Sequence, residues 1–293
     1  MPLLVFSLLF TLALPDDGPV ITKPSPPFAG RAVPEASLRP PRPLDVLHYD
    51  LTLIVNADNA YLEGEVRIRL VPTANLDRIV LDFTTTNAAP RQGMATNSVA
   101  IDGVPRSFVH DADSLAIELP TTITPADTVE VEVVFEGAPV RPEGVGFGWT
   151  RRFLRDTDFV PDPEQPVLCT LSEPSGARTW WPCHDHPFDN ATVTLTTIGP
   201  TEFTLAAPGH MRADEDLGGG LRRQVADMTT PIPAYLVSVV LTDQVSWSEE
   251  VTVDHLLPDG SITQLQMPID YYAPLALRPD AEFSWANTDT MLS

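Results

Sequence analysis

Residues 62–70 read LEGEVRIRL: an apolar residue or glycine stands at every second position, with a charge between each pair. A helix returns to the same face every three to four residues, so this run fits only an extended strand with one buried and one solvated face. The same period recurs. Tyr49, Leu51, Leu53 and Val55 alternate with Asp50, Thr52 and Ile54; Val129, Val131, Val133 and Phe135 alternate with Glu130, Glu132 and Glu136. Ile79, Leu81 and Phe83 form another run, as do Leu115, Ile117 and Leu119. Val99 and Ile101 lead into Asp102-Gly103, a hairpin turn signal. Further strands are expected over 192–198, 203–206, 221–228 and 235–241, with Gly218-Gly219-Gly220 as a turn. The chain holds 31 prolines in 293 residues, about twice the ~5% average. That usage disfavours long helices and suits short strands joined by fixed turns. The expectation is an all-β fold, an antiparallel β-sandwich or open saddle-like sheet, over residues 44–250. A strand at 267–272 and the opening of a helix at 280–293 would follow.

The flanks differ from this core. Leu3–Leu14 is an apolar run of 12 residues, short of the roughly 20 that span a bilayer. It has the length of a signal-peptide core, so residues 1–18 are expected to direct export to the periplasm or the extracellular space. Residues 19–43 continue as a Pro-rich tether. No later stretch is apolar enough to span a membrane. Forty acidic residues against 18 basic ones leave a net charge of −22, which argues against nucleic acid and anionic lipid as partners. Cys169 and Cys183 are the only cysteines. They are either a bridge closing a loop of about 15 residues, worth roughly 3 kcal/mol, or two separate thiols.

Chemistry-bearing residues concentrate in LSEPSGARTWWPCHDHPFDN, residues 171–190. Cys183, His184, Asp185 and His186 are all metal-ligand types, but a zinc site needs three or four converging donors, and one short extended stretch rarely supplies them. His48, His110, His210 and His255 are scattered without ligand spacing. By residue type alone Glu173 is a solvated strand-end carboxylate or a partner of Arg178. Trp180 and Trp181 suit a core or an interdomain surface.

The order of these residues resembles a signature of the aminopeptidase N family of zinc metallopeptidases, which includes the leukotriene hydrolases. Glu173 stands five residues before Arg178; Trp180-Trp181 and Pro182-Cys183-His184-Asp185-His186-Pro187 follow. Leu171 lies where the family often has Gln, and His186 where it usually has Glu. Residues 49–51 and 64–68 resemble the first hairpin of that family's N-terminal β-domain. Residues 191–195 resemble the strand after the motif, and 235–239 the closing strand. The likeness runs from about Leu44 to Tyr272. It implies that Glu173 holds the free α-amine of a peptide substrate while Arg178 and Asp185 brace the turn. It also implies a catalytic domain as partner and zinc as the cofactor of a complete enzyme that removes N-terminal residues from peptides. His-Glu-x-x-His and Gly-x-Met-Glu-Asn, which carry catalysis in that family, do not occur in these 293 residues. The chain is therefore expected to hold no catalytic or metal-binding residues, with 251–293 as a linker and the truncated start of the catalytic domain. A non-catalytic exported β-sandwich binding or scaffold module is the alternative.

Overall fold

The computed structural model describes residues 41–56, 61–85, 93–139, 148–153 and 166–292. The expected signal peptide, and the tether up to residue 40, lie outside the described residues. Seventeen strands are described. The first eight are β1 (Leu44–Val55), β2 (Leu62–Pro72), β3 (Leu76–Asp82), β4 (Gly93–Ile101), β5 (Val104–Pro105), β6 (Phe108–Asp111), β7 (Ser114–Ile123) and β8 (Val129–Ala138). Then come β9 (Gly148–Phe153), β10 (Pro166–Leu171), β11 (Asn190–Pro200), β12 (Thr204–Ala206), β13 (His210–Gly218) and β14 (Leu221–Pro233). The last are β15 (Val240–Thr242), β16 (Val245–Leu256) and β17 (Ile262–Ala273), followed by helices α1 (Arg278–Trp285) and α2 (Thr288–Leu292). No helix among the described residues is long and apolar enough to cross a membrane.

The strands form an eight-stranded sheet in the order β13-β14-β11-β1-β2-β8-β4-β5, a three-stranded sheet β3-β7-β6, a four-stranded sheet β12-β15-β10-β9 and the hairpin β16-β17. The all-β, antiparallel expectation holds for these pairings with one exception: β1 and β11 run parallel, in register from His48–Thr192 to Ile54–Ile198. A bulge in β1 between Val46 and His48 shifts the alternation by one residue, so Val46 and Tyr49 both face inward. One hydrophobic core joins Leu51, Leu53, Val66 and Ile68 of the large sheet to Ile79, Leu81, Leu115 and Ile117 of the three-stranded sheet, and to Trp180, Leu205 and Leu241. Asp102 and Gly103 both take positive φ (49° and 74°), as a tight hairpin turn requires. Gly64 pairs with Phe135, whose ring lies where a Cβ would stand.

Residues 235–241 are not the single strand expected. Residues 234–236 make a 3-10 turn, and only Val240–Thr242 pairs as a strand. Pro231 and Pro233 at the end of β14 supply no N–H for a continuing ladder. Val237 N–H instead bonds the Ala234 carbonyl, and Val239 N–H bonds Thr170 Oγ1. The strand expected at 267–272 is part of β17. With β16 it encloses a separate small core of Val251, Met267, Ile269 and Tyr271, against which Trp247 and Trp285 pack.

Candidate functional site

Residues 172–189 connect β10 to β11 and are shaped both by bonds within the segment and by bonds to other parts of the chain. At the start, Gly176 N–H closes a turn on the Ser172 carbonyl at 2.7 Å, and Trp180 Nε1 donates to Ser172 Oγ at 3.1 Å. The Glu173–Pro174 peptide is cis. A 3-10 turn follows at Ala177–Thr179. Trp180 and Trp181 are fully buried; Trp181 meets Tyr49 edge-on at 4.8 Å between ring centres. Glu173 is exposed. It makes no ion pair among the described residues, because the Arg178 guanidinium turns to Asp185: Arg178 Nη1 lies 3.2 Å and Arg178 N 3.3 Å from Asp185 Oδ2. The structure thus brings Arg178 and Asp185 together and leaves Glu173 exposed, without an ion pair among the described residues.

The remainder of the loop is tied to β1 and β3. Asp82 and Cys183 exchange both main-chain hydrogen bonds, at 2.8 and 3.1 Å. Thr84 N–H donates to the Arg178 carbonyl at 2.8 Å. His184 N–H donates to the Tyr49 hydroxyl at 3.0 Å. Burial pushes the Tyr49 phenol well above its ordinary range, so it stays neutral as it accepts that bond. Asp82 Oδ1 receives the Arg42 guanidinium at 2.8 Å, and Asp82 Oδ2 receives the Asp185 N–H at 3.1 Å.

The ligand-type side chains are committed to these internal roles. Burial, with Asp185 and Asp82 nearby, raises the Cys183 thiol well above its usual range, which favours the neutral thiol over the thiolate. His184 is buried; its Nε2 accepts Arg42 N–H at 3.1 Å, and its Nδ1 lies 3.1 Å from Asp189 Oδ2 without the alignment of a hydrogen bond. Burial and the neighbouring His184 lower His186, keeping it neutral. Among the described residues no three His, Cys, Asp or Glu side chains form a group that could hold a metal ion. Cys169 and Cys183 are both free of a disulfide.

Arg42, Asp82, Tyr49, Ser172 and Asp189 hold the loop, yet the sequence reading attached no role in it to any of them. Tyr49 and Asp82 carry no local signal for this role: one reads as a core position, the other as a polar residue at a strand end.

Fold and loop together define a β-domain of the zinc metallopeptidase class. The structure of the M1 zinc metallopeptidase from Deinococcus radiodurans matches with a TM-score of 0.60 at 26% identity, covering 77% of this chain and 47% of that one. A mutant of that enzyme bound to a Tyr-Ser-Ala substrate matches with a TM-score of 0.61 at 25% identity, over 79% and 48%. The chain belongs to the Peptidase M1 N-terminal domain family, whose profile matches residues 45–236. Relatives include Aminopeptidase Q of Acinonyx jubatus (28% identical over 255 residues, 75% of this chain and 24% of the relative). The alanine/arginine aminopeptidase of Saccharomyces cerevisiae is 24% identical over 216 residues, 69% and 23%. The chain therefore spans about a quarter of the length of these aminopeptidases and about half of the solved structures.

Proposed function

We propose that this chain is the substrate-anchoring N-terminal domain of a zinc-dependent aminopeptidase, and that Glu173 holds the free α-amine of the peptide. The observation that carries the reading is the state of Glu173: exposed, unpaired among the described residues, and set in a turn that is bonded at both ends. A carboxylate presented in this way makes a charge-assisted hydrogen bond to an ammonium without ordering a loop first. Fixing the amine fixes which peptide bond reaches the reacting centre, which is what separates an aminopeptidase from an endopeptidase. Relatives named as aminopeptidases, and a structural neighbour solved with a Tyr-Ser-Ala substrate, support the substrate class. Zinc bound elsewhere in the complete enzyme would supply the activated water of peptide hydrolysis. This domain contributes binding and orientation.

The test is kinetics in the complete enzyme on a substrate with a free amine. Glu173→Ala is expected to lower kcat/KM by about 2–4 kcal/mol of transition-state binding, roughly 30- to 1000-fold. Glu173→Gln keeps an accepting oxygen and should lose less. Because Glu173 is exposed, both variants should melt with the wild type. Wild-type kcat/KM in Glu173→Ala, or loss of the fold, would refute the anchor role.

A further inference from the structure

The turn that presents Glu173 belongs to no strand; it hangs from the end of β3. In β3, Ile79 and Leu81 face the core, and the alternation sends Asp82 to the opposite face. Asp82 is nevertheless only 3% exposed, because residues 183–185 lie across it. Its two oxygens are divided. Oδ1 accepts Arg42 Nε at 3.2 Å and Nη2 at 2.8 Å, and Oδ2 accepts the Asp185 main-chain N–H at 3.1 Å. The Asp185 carboxylate then accepts both the main-chain N–H and the guanidinium of Arg178. Two residues beyond Asp82, Thr84 N–H grips the Arg178 carbonyl.

The series Arg42–Asp82–Asp185–Arg178 alternates in charge, so two buried carboxylates are each offset by a guanidinium. Each carboxylate also takes a main-chain N–H from the loop: Asp82 that of Asp185, Asp185 that of Arg178. The charges therefore locate backbone as well as offset one another. An asparagine at position 82 could not replace this arrangement. Both carboxylate oxygens face donors, and an amide offers one acceptor; its NH2 group would oppose either Arg42 or the Asp185 N–H.

We propose that Asp82 is a positioning residue for Glu173, holding the 173–179 turn in one place through Arg42, Asp185 and Arg178. Its functional consequence rests on the reading of Glu173 as the amine anchor. Asp82 does not touch substrate; it keeps the anchoring carboxylate at a fixed distance from the reacting centre.

Two measurements test this. The first is amide hydrogen exchange by NMR on the 293-residue chain. Asp82→Asn is expected to speed exchange about tenfold or more at Gly176, Thr179, Trp180 and Trp181, with the amides of β2 and β8 unchanged. Arg42→Gln, a milder change at the partly buried end of the series, should speed the same four amides about threefold. If Asp82→Asn does not fold, Arg42→Gln carries the test. Unchanged exchange at these four amides, or equal loss of protection across β2 and β8, overturns the proposal.

The second is a double-mutant cycle in the complete enzyme with L-alanine p-nitroanilide. Asp82→Asn should lower kcat/KM about tenfold, and combining it with Glu173→Ala should lose no more than Glu173→Ala alone. Losses that multiply would mean Asp82 does not act through Glu173. If Glu173→Ala keeps wild-type kcat/KM, the anchor reading fails, while the exchange experiment still decides whether Asp82 holds the turn.

Discussion

Replacing Gly64 by alanine adds one methyl group to a space already filled by an aromatic ring. A Cβ at Gly64 would lie 2.4 Å from Phe135 Cζ, 2.7 Å from Cε2 and 3.0 Å from Cε1. Ordinary carbon contacts begin near 3.5 Å, so the ring must retreat by about 1 Å. It has little room. Phe135 is 1% exposed and meets Phe83 edge-on at 5.5 Å; Phe83 stacks in turn on His110 at 4.6 Å. Displacing one ring therefore disturbs three. Overpacking of this kind costs about 1–3 kcal/mol. Alanine recovers roughly 0.5–1 kcal/mol, because it restricts the unfolded chain more than glycine does. The net expectation is a loss of about 1–2 kcal/mol, or roughly 2–8 °C in Tm for a domain of this size. Thermal unfolding followed by circular dichroism measures it. Gly64→Ala combined with Phe135→Leu should melt above Gly64→Ala alone, because the shorter side chain vacates the contested space. A Gly64→Ala protein that melts at or above the wild type would show that the ring yields freely and that the close approach does not require glycine.

Asp185→Ala removes the oxygen shared by Arg178 N–H and Nη1 in a site where the Asp185 side chain is 1% exposed. Urea unfolding should show a loss of about 3 kcal/mol. Asp185→Asn should lose less, and equal losses would contradict this account. His110 is lowered from the ordinary imidazole value of 6.5, chiefly by burial; its Nε2 bonds the Phe83 carbonyl and its Nδ1 contacts Thr96 Oγ1. The unfolded chain thus binds the proton more readily, so this contribution to stability is complete above about pH 6.5 and is lost as the pH falls through the folded value. His48 and His186 are lowered in the same direction. The urea midpoint should therefore fall between pH 7.5 and 5.5, and His110→Gln should narrow the difference; an unchanged difference would refute the assignment.

The strands with clean alternation were legible because one face of each is regularly apolar and buried while the other is more exposed: β1 from Tyr49 onward, β2, β7 and β8. Those that escaped notice lack that contrast. β13 is an exposed edge strand, HMRADEDLG, with no apolar face to reveal it. In β16 the alternation of Val245, Trp247, Val251 and Val253 is interrupted by Glu249, whose carboxylate accepts the Tyr271 hydroxyl, a partner that only the folded hairpin supplies. The parallel pairing of β1 with β11 was not readable either, since nothing local says which strand a given edge will meet. For the candidate site, Glu173, Arg178 and Asp185 were singled out by the order of residues in one segment, residues 171–190. Asp82 and Arg42 lie 89 and 129 residues before that segment, and their contacts to it exist only once β3 and the loop are in place.

The parallel pairing also bears on how the chain comes to be folded. β1 sits inside the eight-stranded sheet, with β2 on one side and β11 on the other, and His48 meets Thr192 144 residues later. At a synthesis rate of about 5–20 residues per second, roughly 7–30 s separate the emergence of the two strands. Throughout that interval the β1 edge that will meet β11 stays open, the kind of edge on which unfinished chains pair with one another. Trp180 and Trp181, which fill the core beneath β1, emerge only near the end of the wait. β1 therefore gains its second neighbour late, from a strand that follows directly on the loop containing Glu173, so the pairing of β1 with β11 and the ordering of that loop fall together in the birth of the molecule.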